Sequence, residues 1–343
     1  METEAAVALL RDAAGERVDG RTTRRLADVA SLLVTDMAWV ERELAASARE
    51  GLSPSTESAV HLLEAGGKRV RPMAVLLSAA CFGPISASAR ELAVVAELVH
   101  LATLLHDDVV DDSDDRRGKP AARRLWGNAV SVLAGDLLLT HALERTSKVG
   151  PPAVLAELFG TLRQLVDGEV VQLRGRTCLD VSEATYFRIL RDKTASLFVW
   201  ATRAGARVAG APPSAVTALG EFGGHLGMAF QLIDDALDYA GDRQATGKAL
   251  YTDVIEGKLT LPLILAIARR PSLAADLDRV RAGDESAAGA IVAAVHESNA
   301  CDEVAALARK HTADALRSLA PVPACRSRDL LGCVAEDLAS RLA

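Results

Sequence analysis

Two aspartate triplets with the same spacing stand far apart in a chain of 343 residues. Asp107, Asp108 and Asp111 lie in HDDVVDDSDDRRG, and Asp234, Asp235 and Asp238 lie in GMAFQLIDDALDYAGD. On a helix, positions i, i+1 and i+4 fall within about 100° of arc, so each triplet is expected to share one face. Hard divalent cations such as magnesium take oxygen ligands, usually one or two carboxylates together with phosphate oxygens. One such cluster alone reads more readily as a solvated acidic helix end. Its recurrence beside Phe230, Leu232, Ile233 and Leu237 shifts the balance, because unpaired acids in an apolar stretch are costly. Two converging acidic faces would hold magnesium between them and grip a diphosphate. Cations complete the pattern. Lys68, Arg69 and Arg71 precede the first triplet, Arg116 and Arg117 follow it, and Lys193, Lys248 and Lys258 lie around the second. Arginine forks match phosphate oxygens in pairs, so such a site has the means to hold two diphosphates.

The elements that position these groups are predicted to be helices. Half of the chain is hydrophobic, much of it alanine, and only 3% is aromatic, which favours packed helices over sheets and an all-α fold. A net charge of −7 argues against nucleic-acid binding. Cys81, Cys178, Cys301, Cys325 and Cys333 are scattered without a CxxC pair, so neither a disulfide framework nor a zinc site is indicated, and a reducing cytoplasm fits. The N-terminus lacks the apolar core of a signal peptide, and no stretch nears the roughly 18 apolar residues of a spanning helix. A soluble, single helical domain over residues 1–343 is expected, with 1–22 as a flexible N-terminal segment. A first helix is predicted from Thr23 to Ala48, and a second from Ser55 to a stop at Gly66-Gly67. A third is predicted to start at Pro72, which leaves Lys68, Arg69 and Arg71 in a basic junction. Ser88 is expected to cap the long helix SARELAVVAELVHLATLLHDDVVDD. The acidic end of that helix opposes its dipole, so positive partners are expected there. Beyond Pro271 the chain is helical and alanine-rich without a motif, as a packing scaffold would be.

With these residues in place, the chain resembles the trans-type polyprenyl diphosphate synthases, and most closely their medium- and long-chain members such as octaprenyl diphosphate synthase. GGKRVRP, LLHDDVVDDSDDRRGKP, GNAVSVLAGDLLL, DGEVVQL, the Lys193-Thr194 pair, FQLIDDALDY and GKALYTDVIEGKLTLPL occur in that family's order. The resemblance implies a helical bundle around a central cavity, the isoprenoid synthase fold. It implies that Lys68, Arg71, His100 and Arg117 hold isopentenyl diphosphate. Arg116, Lys193, Thr194, Gln231, Lys248 and Lys258 would surround the allylic diphosphate, with Lys193, Thr194, Gln231 and Lys248 closest to the chemistry. Magnesium, three ions with substrate bound, would fall to Asp107, Asp108, Asp111 and Asp234, with Asp235 and Asp238 of the second triplet also counted in the metal site. His100 precedes Asp107 by two helical turns and so can face the same cavity; a lone histidine on an apolar helix is more often structural, and the surrounding motif reverses that.

The implied reaction is ionisation of the allylic C–O bond, attack by the isopentenyl double bond and loss of a proton. The released diphosphate serves as base, so no side-chain nucleophile is required. Product length would depend on the wall formed by Val99, Ala102 and Thr103, with Leu137 and Leu138 behind. Small residues at 102 and 103 suggest a medium or long all-trans product, the alternative being a geranylgeranyl- or farnesyl-length one. Ala249 and Thr252 depart from the Asn and Asp usual in similar enzymes. A homodimer is implied by the resemblance alone, and the product would pass to a membrane. A terpene cyclase has no need of the second diphosphate pocket, and a catalytically silent partner subunit would be expected to lose one of the motifs.

Overall fold

The structure is a computed structural model that describes residues 20–177, 180–239, 252–255 and 258–340. Lys248, Ala249, Cys178 and most of the expected N-terminal segment lie outside the described residues. Among the described residues the chain is all-α apart from one short hairpin, and it divides into two compact units. The first comprises residues up to Phe159, Val199–Glu221 and Ser318–Val334; the second comprises Gly160–Phe198, Phe222–Arg317 and Ala335 onward.

In the first unit, α1 (Gly20–Arg49), α2 (Ser55–Glu64), α3 (Val70–Ala80) and α4 (Ala87–Val110) precede the hairpin of β1 (Asp115–Arg116) and β2 (Lys119–Pro120). The long α5 (Ala122–Lys148) follows, broken at Gly127, where φ is 82°. Helix α4 is the centre of this unit and packs against α1, α2, α3 and α5. Its residues Leu92, Val94, Val95, Leu98, Val99, Leu101, Ala102 and Leu105 are all buried, each large one contributing about 1.5–3 kcal/mol. A helix apolar on every side has to be a core helix. Apart from its N-terminal end, it opens only toward its C-terminal end, from His100 through Thr103, Leu104, His106 and Asp107.

Two boundaries differ from expectation. Helix α4 is capped by Ser86, whose side chain accepts from the Ala89 amide at 3.2 Å, and not by Ser88. Ser86 has the extended backbone that a cap needs, whereas Ser88 is already inside the helix. Helix α3 starts at Val70, so Arg71 belongs to its first turn and Pro72 is its third residue, where the absent N–H still has no helical partner to lose. The basic junction is therefore shorter than expected and holds Lys68 and Arg69.

The chain then forms α6 (Pro152–Thr177) and α7 (Glu183–Ile189), a π-helical turn at Leu190–Ala195, α8 (Ser196–Val208) and α9 (Pro213–Tyr239). Helix α10 (Thr252–Ile255), α11 (Leu261–Arg269), α12 (Leu273–Arg281), a short 3₁₀ turn, α13 (Ala288–Glu297), α14 (Ala300–Ser318) and α15 (Arg326–Ser340) complete it. In the second unit Tyr239 at the end of α9 is fully buried among Val254, Leu263, Ile267, Leu277, Ile291 and Val295. The motif-free segment after Pro271 thus packs around the end of the helix that bears the second triplet. Among the described residues, no helix is long and apolar enough to cross a membrane.

Candidate active site

In the first unit the end of α4 and the loop before α3 bring the cations together. Arg69 takes a left-handed backbone, φ 49°, and its side chain turns inward. Its Nε donates to Glu41 at 2.7 Å and its Nη1 to Glu97 at 2.9 Å, with only 4% of the residue exposed. Arg69 is a strut rather than part of the ligand-facing basic group. The hairpin turns through Arg117 and Gly118, both left-handed (φ 54° and 74°), the type I′ pattern that suits two-residue hairpins. This sends Arg116 to Asp108, its Nε donating at 2.7 Å, and Arg117 to Gly67. A Cβ on Gly67 would lie 2.7 Å from Arg69 Nη1 and 2.9 Å from Arg117 Nη1, so a side chain there would displace both guanidinium groups from their places over the loop.

The field in this pocket is strongly positive. Burial, with Arg71, Arg117, Arg69 and Arg116 adding to it, holds His100 well below the usual imidazole range, so it is a neutral donor near pH 7. Burial also lowers Arg71, to about 10, with Glu97 opposing and Arg117 reinforcing the shift. Arg117 is lowered by burial too, and its Nη1 is buried with no hydrogen-bond partner among the described residues.

The first triplet is not an equal set. Asp108 is fully buried and bound by Arg116 through Oδ1, while its Oδ2 has no hydrogen-bond partner among the described residues. Burial raises the Asp108 carboxyl against the pull of Arg116. Asp107 and Asp111 are half-exposed, and Asp111 forms the C-cap of α4. Among the described residues no three such side chains form a group that would hold a metal ion by themselves, so these carboxylates would need phosphate oxygens to complete the shell of a hard divalent cation. His106, just before them, packs so closely on Gly135 of α5 that a Cβ there would lie 2.3 Å from its Nε2. That contact accounts for the glycine of GNAVSVLAGDLLL.

In the second unit the π-turn carries Lys193 and Thr194. Lys193 pairs with Glu169 of α6, and a Cβ on Gly168 would lie 2.9 Å from the Lys193 amide nitrogen. Thr194 Oγ1 donates to Gln231 Oε1 at 3.1 Å, Gln231 Nε2 donates to Asp235 Oδ1 at 2.8 Å, and Tyr186 OH donates to Asp235 Oδ2 at 2.6 Å. Both oxygens of Asp235 are therefore engaged within the protein. Its pKa is pushed up to about 7, first by burial and then by Asp253, with the hydrogen bonds from Tyr186 and Gln231 working against this. Asp238 is buried and accepts from the Asp253 amide at 3.2 Å. Of this triplet Asp234 alone is half-exposed, so the expected shared face reduces to one outward carboxylate with two inward ones. Lys258 Nζ lies 4.0 Å from Asp253.

Glu97, Glu169 and Tyr186 were not expected from the sequence. Glu169 sits inside DGEVVQL and could have been found as the acid of that motif; Glu97 and Tyr186 carry no local signal.

An all-α chain with two acidic helix segments, each in its own compact unit with its own cations, defines a class: proteins that handle diphosphate esters with the help of divalent metal. A family model described as polyprenyl synthetase matches residues 54–298, and the chain belongs to that family. It is 37% identical over 302 residues to heptaprenyl diphosphate synthase component 2 of Geobacillus stearothermophilus, covering 88% of this chain and 94% of the relative. Octaprenyl diphosphate synthase of Escherichia coli is 38% identical over 242 residues, 71% of this chain and 75% of the relative. A polyprenyl synthase of Caulobacter crescentus, solved with calcium and isoprenyl diphosphate, matches with a TM-score of 0.87 at 39% identity, covering 95% of this chain and all of that one. The fold is the isoprenoid synthase fold, and the activity is prenyl transfer that elongates a prenyl diphosphate.

Proposed function

We propose that this chain condenses isopentenyl diphosphate with an allylic prenyl diphosphate in a magnesium-dependent, head-to-tail reaction and releases a medium or long all-trans product. The observation that carries this is that, among the described residues, each unit pairs acidic groups with its own cations. Lys68, Arg71, neutral His100 and Arg117 receive isopentenyl diphosphate; the buried Arg117 Nη1, without a hydrogen-bond partner among the described residues, is a donor suited to a phosphate oxygen. Arg116, Lys193, Thr194, Gln231, Lys248 and Lys258 serve the allylic substrate. Asp107, Asp108, Asp111 and Asp234 would hold magnesium, which supplies charge neutralisation for the departing diphosphate. Asp235 and Asp238 instead hold Gln231 and the 253 backbone in place. The Thr194–Gln231–Asp235–Tyr186 chain fixes the oxygen dipole of Thr194 near the site of developing positive charge.

The relative named as a component of a heptaprenyl synthase supports a second reading, in which this chain acts with a partner subunit. One assay separates the two. The purified chain alone, given magnesium, a farnesyl primer and labelled isopentenyl diphosphate, is expected to incorporate label, and excess EDTA is expected to abolish it. Turnover that appears only on adding a second protein favours the partnered reading, and turnover indifferent to EDTA sinks the magnesium assignment.

The half-exposed side of α4 carries Thr103 one turn below Asp107, whereas Ala102 and Val99 are buried in the unit core. Thr103 is therefore the residue of the three best placed to meet a growing chain. Thr103→Phe is expected to shift the product distribution to shorter chains in reversed-phase chromatography, and an unchanged distribution would remove Thr103 from the wall. Homodimer formation is supported by the exposed row Phe159, Val166 and Val170 on one face of α6 and by exposed Leu125, Val132 and Leu133 on α5. Action in the cytoplasm with delivery of product to a membrane completes the proposal.

A further inference from the structure

Glu97 lies on α4, one turn before His100 and ten residues before Asp107, with 2% of its surface exposed. It is a buried carboxylate whose charge acts on Arg71 and Arg117 of the isopentenyl pocket. Its Oε1 accepts from Arg69 Nη1 at 2.9 Å, and Arg69 is gripped on its other edge by Glu41 at 2.7 and 3.2 Å. This two-sided grip ties the loop before α3 to α1 and to α4. Glu97 is also the foremost charge favouring the ionised forms of Arg71 and Arg117, both of which burial and their cationic neighbours disfavour. Three guanidinium groups thus depend on this buried carboxylate, Arg69 by a direct bond and Arg71 and Arg117 by its charge, with Asp108 also acting on Arg117. Two of them belong to the pocket and the third is the strut beneath it.

We propose that Glu97 is a positioning residue for isopentenyl diphosphate: it holds Arg71 and Arg117 in their binding arrangement, through its charge and through the Arg69 strut, before the ligand arrives. The inference rests on the assignment of Lys68, Arg71, His100 and Arg117 to that ligand. Like charges in a water-poor pocket repel strongly, and a cluster of guanidinium groups stays assembled only while a counter-charge is present. A ligand diphosphate supplies that charge in the complex, and Glu97 supplies it in the free enzyme. Loss of the carboxylate lets Arg71 and Arg117 move apart, so the ligand must reassemble them.

The test is steady-state kinetics on Glu97→Gln, with Glu97→Asp and Arg71→Met in parallel. Glu97→Gln is expected to raise the KM for isopentenyl diphosphate about tenfold, while kcat and the KM for the allylic substrate stay within about twofold. Glu97→Asp keeps the charge one methylene away and is expected to raise the same KM about threefold. Should Glu97→Gln fail to fold, judged by its thermal melt, the Asp variant carries the test, and an unchanged KM in it overturns the proposal. A KM that falls in Glu97→Gln, as simple repulsion between Glu97 and the ligand would give, also overturns it, as does an equal loss for both substrates. Arg71→Met separates the two layers. A raised isopentenyl KM there beside an unaltered one in Glu97→Gln defeats the positioning role alone, whereas no effect of Arg71→Met defeats the pocket assignment and the inference with it.

Discussion

Asp108→Asn is expected to leave a folded protein whose turnover is lower by about a thousandfold, roughly 4 kcal/mol of transition-state stabilisation. The side chain keeps its shape, and Arg116 keeps an oxygen to bind, so the fold survives. What is lost is the negative charge at a position where one oxygen has no hydrogen-bond partner among the described residues. Asp108 is the most buried of its triplet, so no water-filled surround can replace that charge. Arg116 is partly exposed and can relax toward solvent, which limits the stability cost to about 1 kcal/mol and the drop in Tm to about 2–4 °C. The magnesium concentration for half-maximal rate is expected to rise together with the fall in kcat. Near-normal turnover in labelled-substrate assays of a folded Asp108→Asn protein would falsify the role given to this carboxylate.

Gly227→Ala should damage both stability and activity, although residue 227 presents no side chain to any substrate. A Cβ at this position of α9 would lie 2.6 Å from Ala195 Cα and 3.0 Å from Phe198 Cδ2. Backbone cannot yield as a flexible side chain does, so α9 and the π-turn must separate by about 1 Å, at a cost of about 1–3 kcal/mol. Thr194 is next to Ala195, and its 3.1 Å bond to Gln231 is the contact that such a separation breaks first. A displacement of that size at a positioning group lowers turnover by about a hundredfold. Gly160→Ala on α6 is the control, since a Cβ there meets nothing within 4 Å and helix propensity favours alanine. A Gly227→Ala protein that melts and turns over like Gly160→Ala would show that the close approach is not needed.

The helices and both acid triplets were legible from the sequence because periodicity and spacing are local properties. What remained hidden was set by partners distant in sequence. Arg69 stands in the same basic run as Lys68 and Arg71, yet Glu41 and Glu97, each 28 residues away, turn it inward. Asp235 belongs to a triplet that matches Asp107, Asp108 and Asp111 in spacing, yet Tyr186, 49 residues earlier, takes one of its oxygens. Both cases are buried charges satisfied by long-range bonds, and nothing in a window of a few residues announces them. The left-handed turn at Arg117-Gly118 was signalled only by its glycine. The start of α3 was misplaced because proline is tolerated throughout the first helical turn, so it marks a helix start only to within a few residues.

The π-turn at Leu190–Ala195 has a further meaning when the chain is viewed as a register. A π-turn accommodates one residue more than an α-turn in the same helical path, so the segment behaves as a single-residue insertion absorbed without breaking the helix. Deleting one residue there would restore regular α-geometry and keep the flanking segments in phase, so only the residues within the turn would change the direction they face. Lys193 would then leave Glu169, or Thr194 would leave Gln231, because both bonds are made from the turn that loses its extra residue. The irregularity is thus a phase-setting device: it lets one continuous run of helix present a lysine to α6 and a threonine to α9.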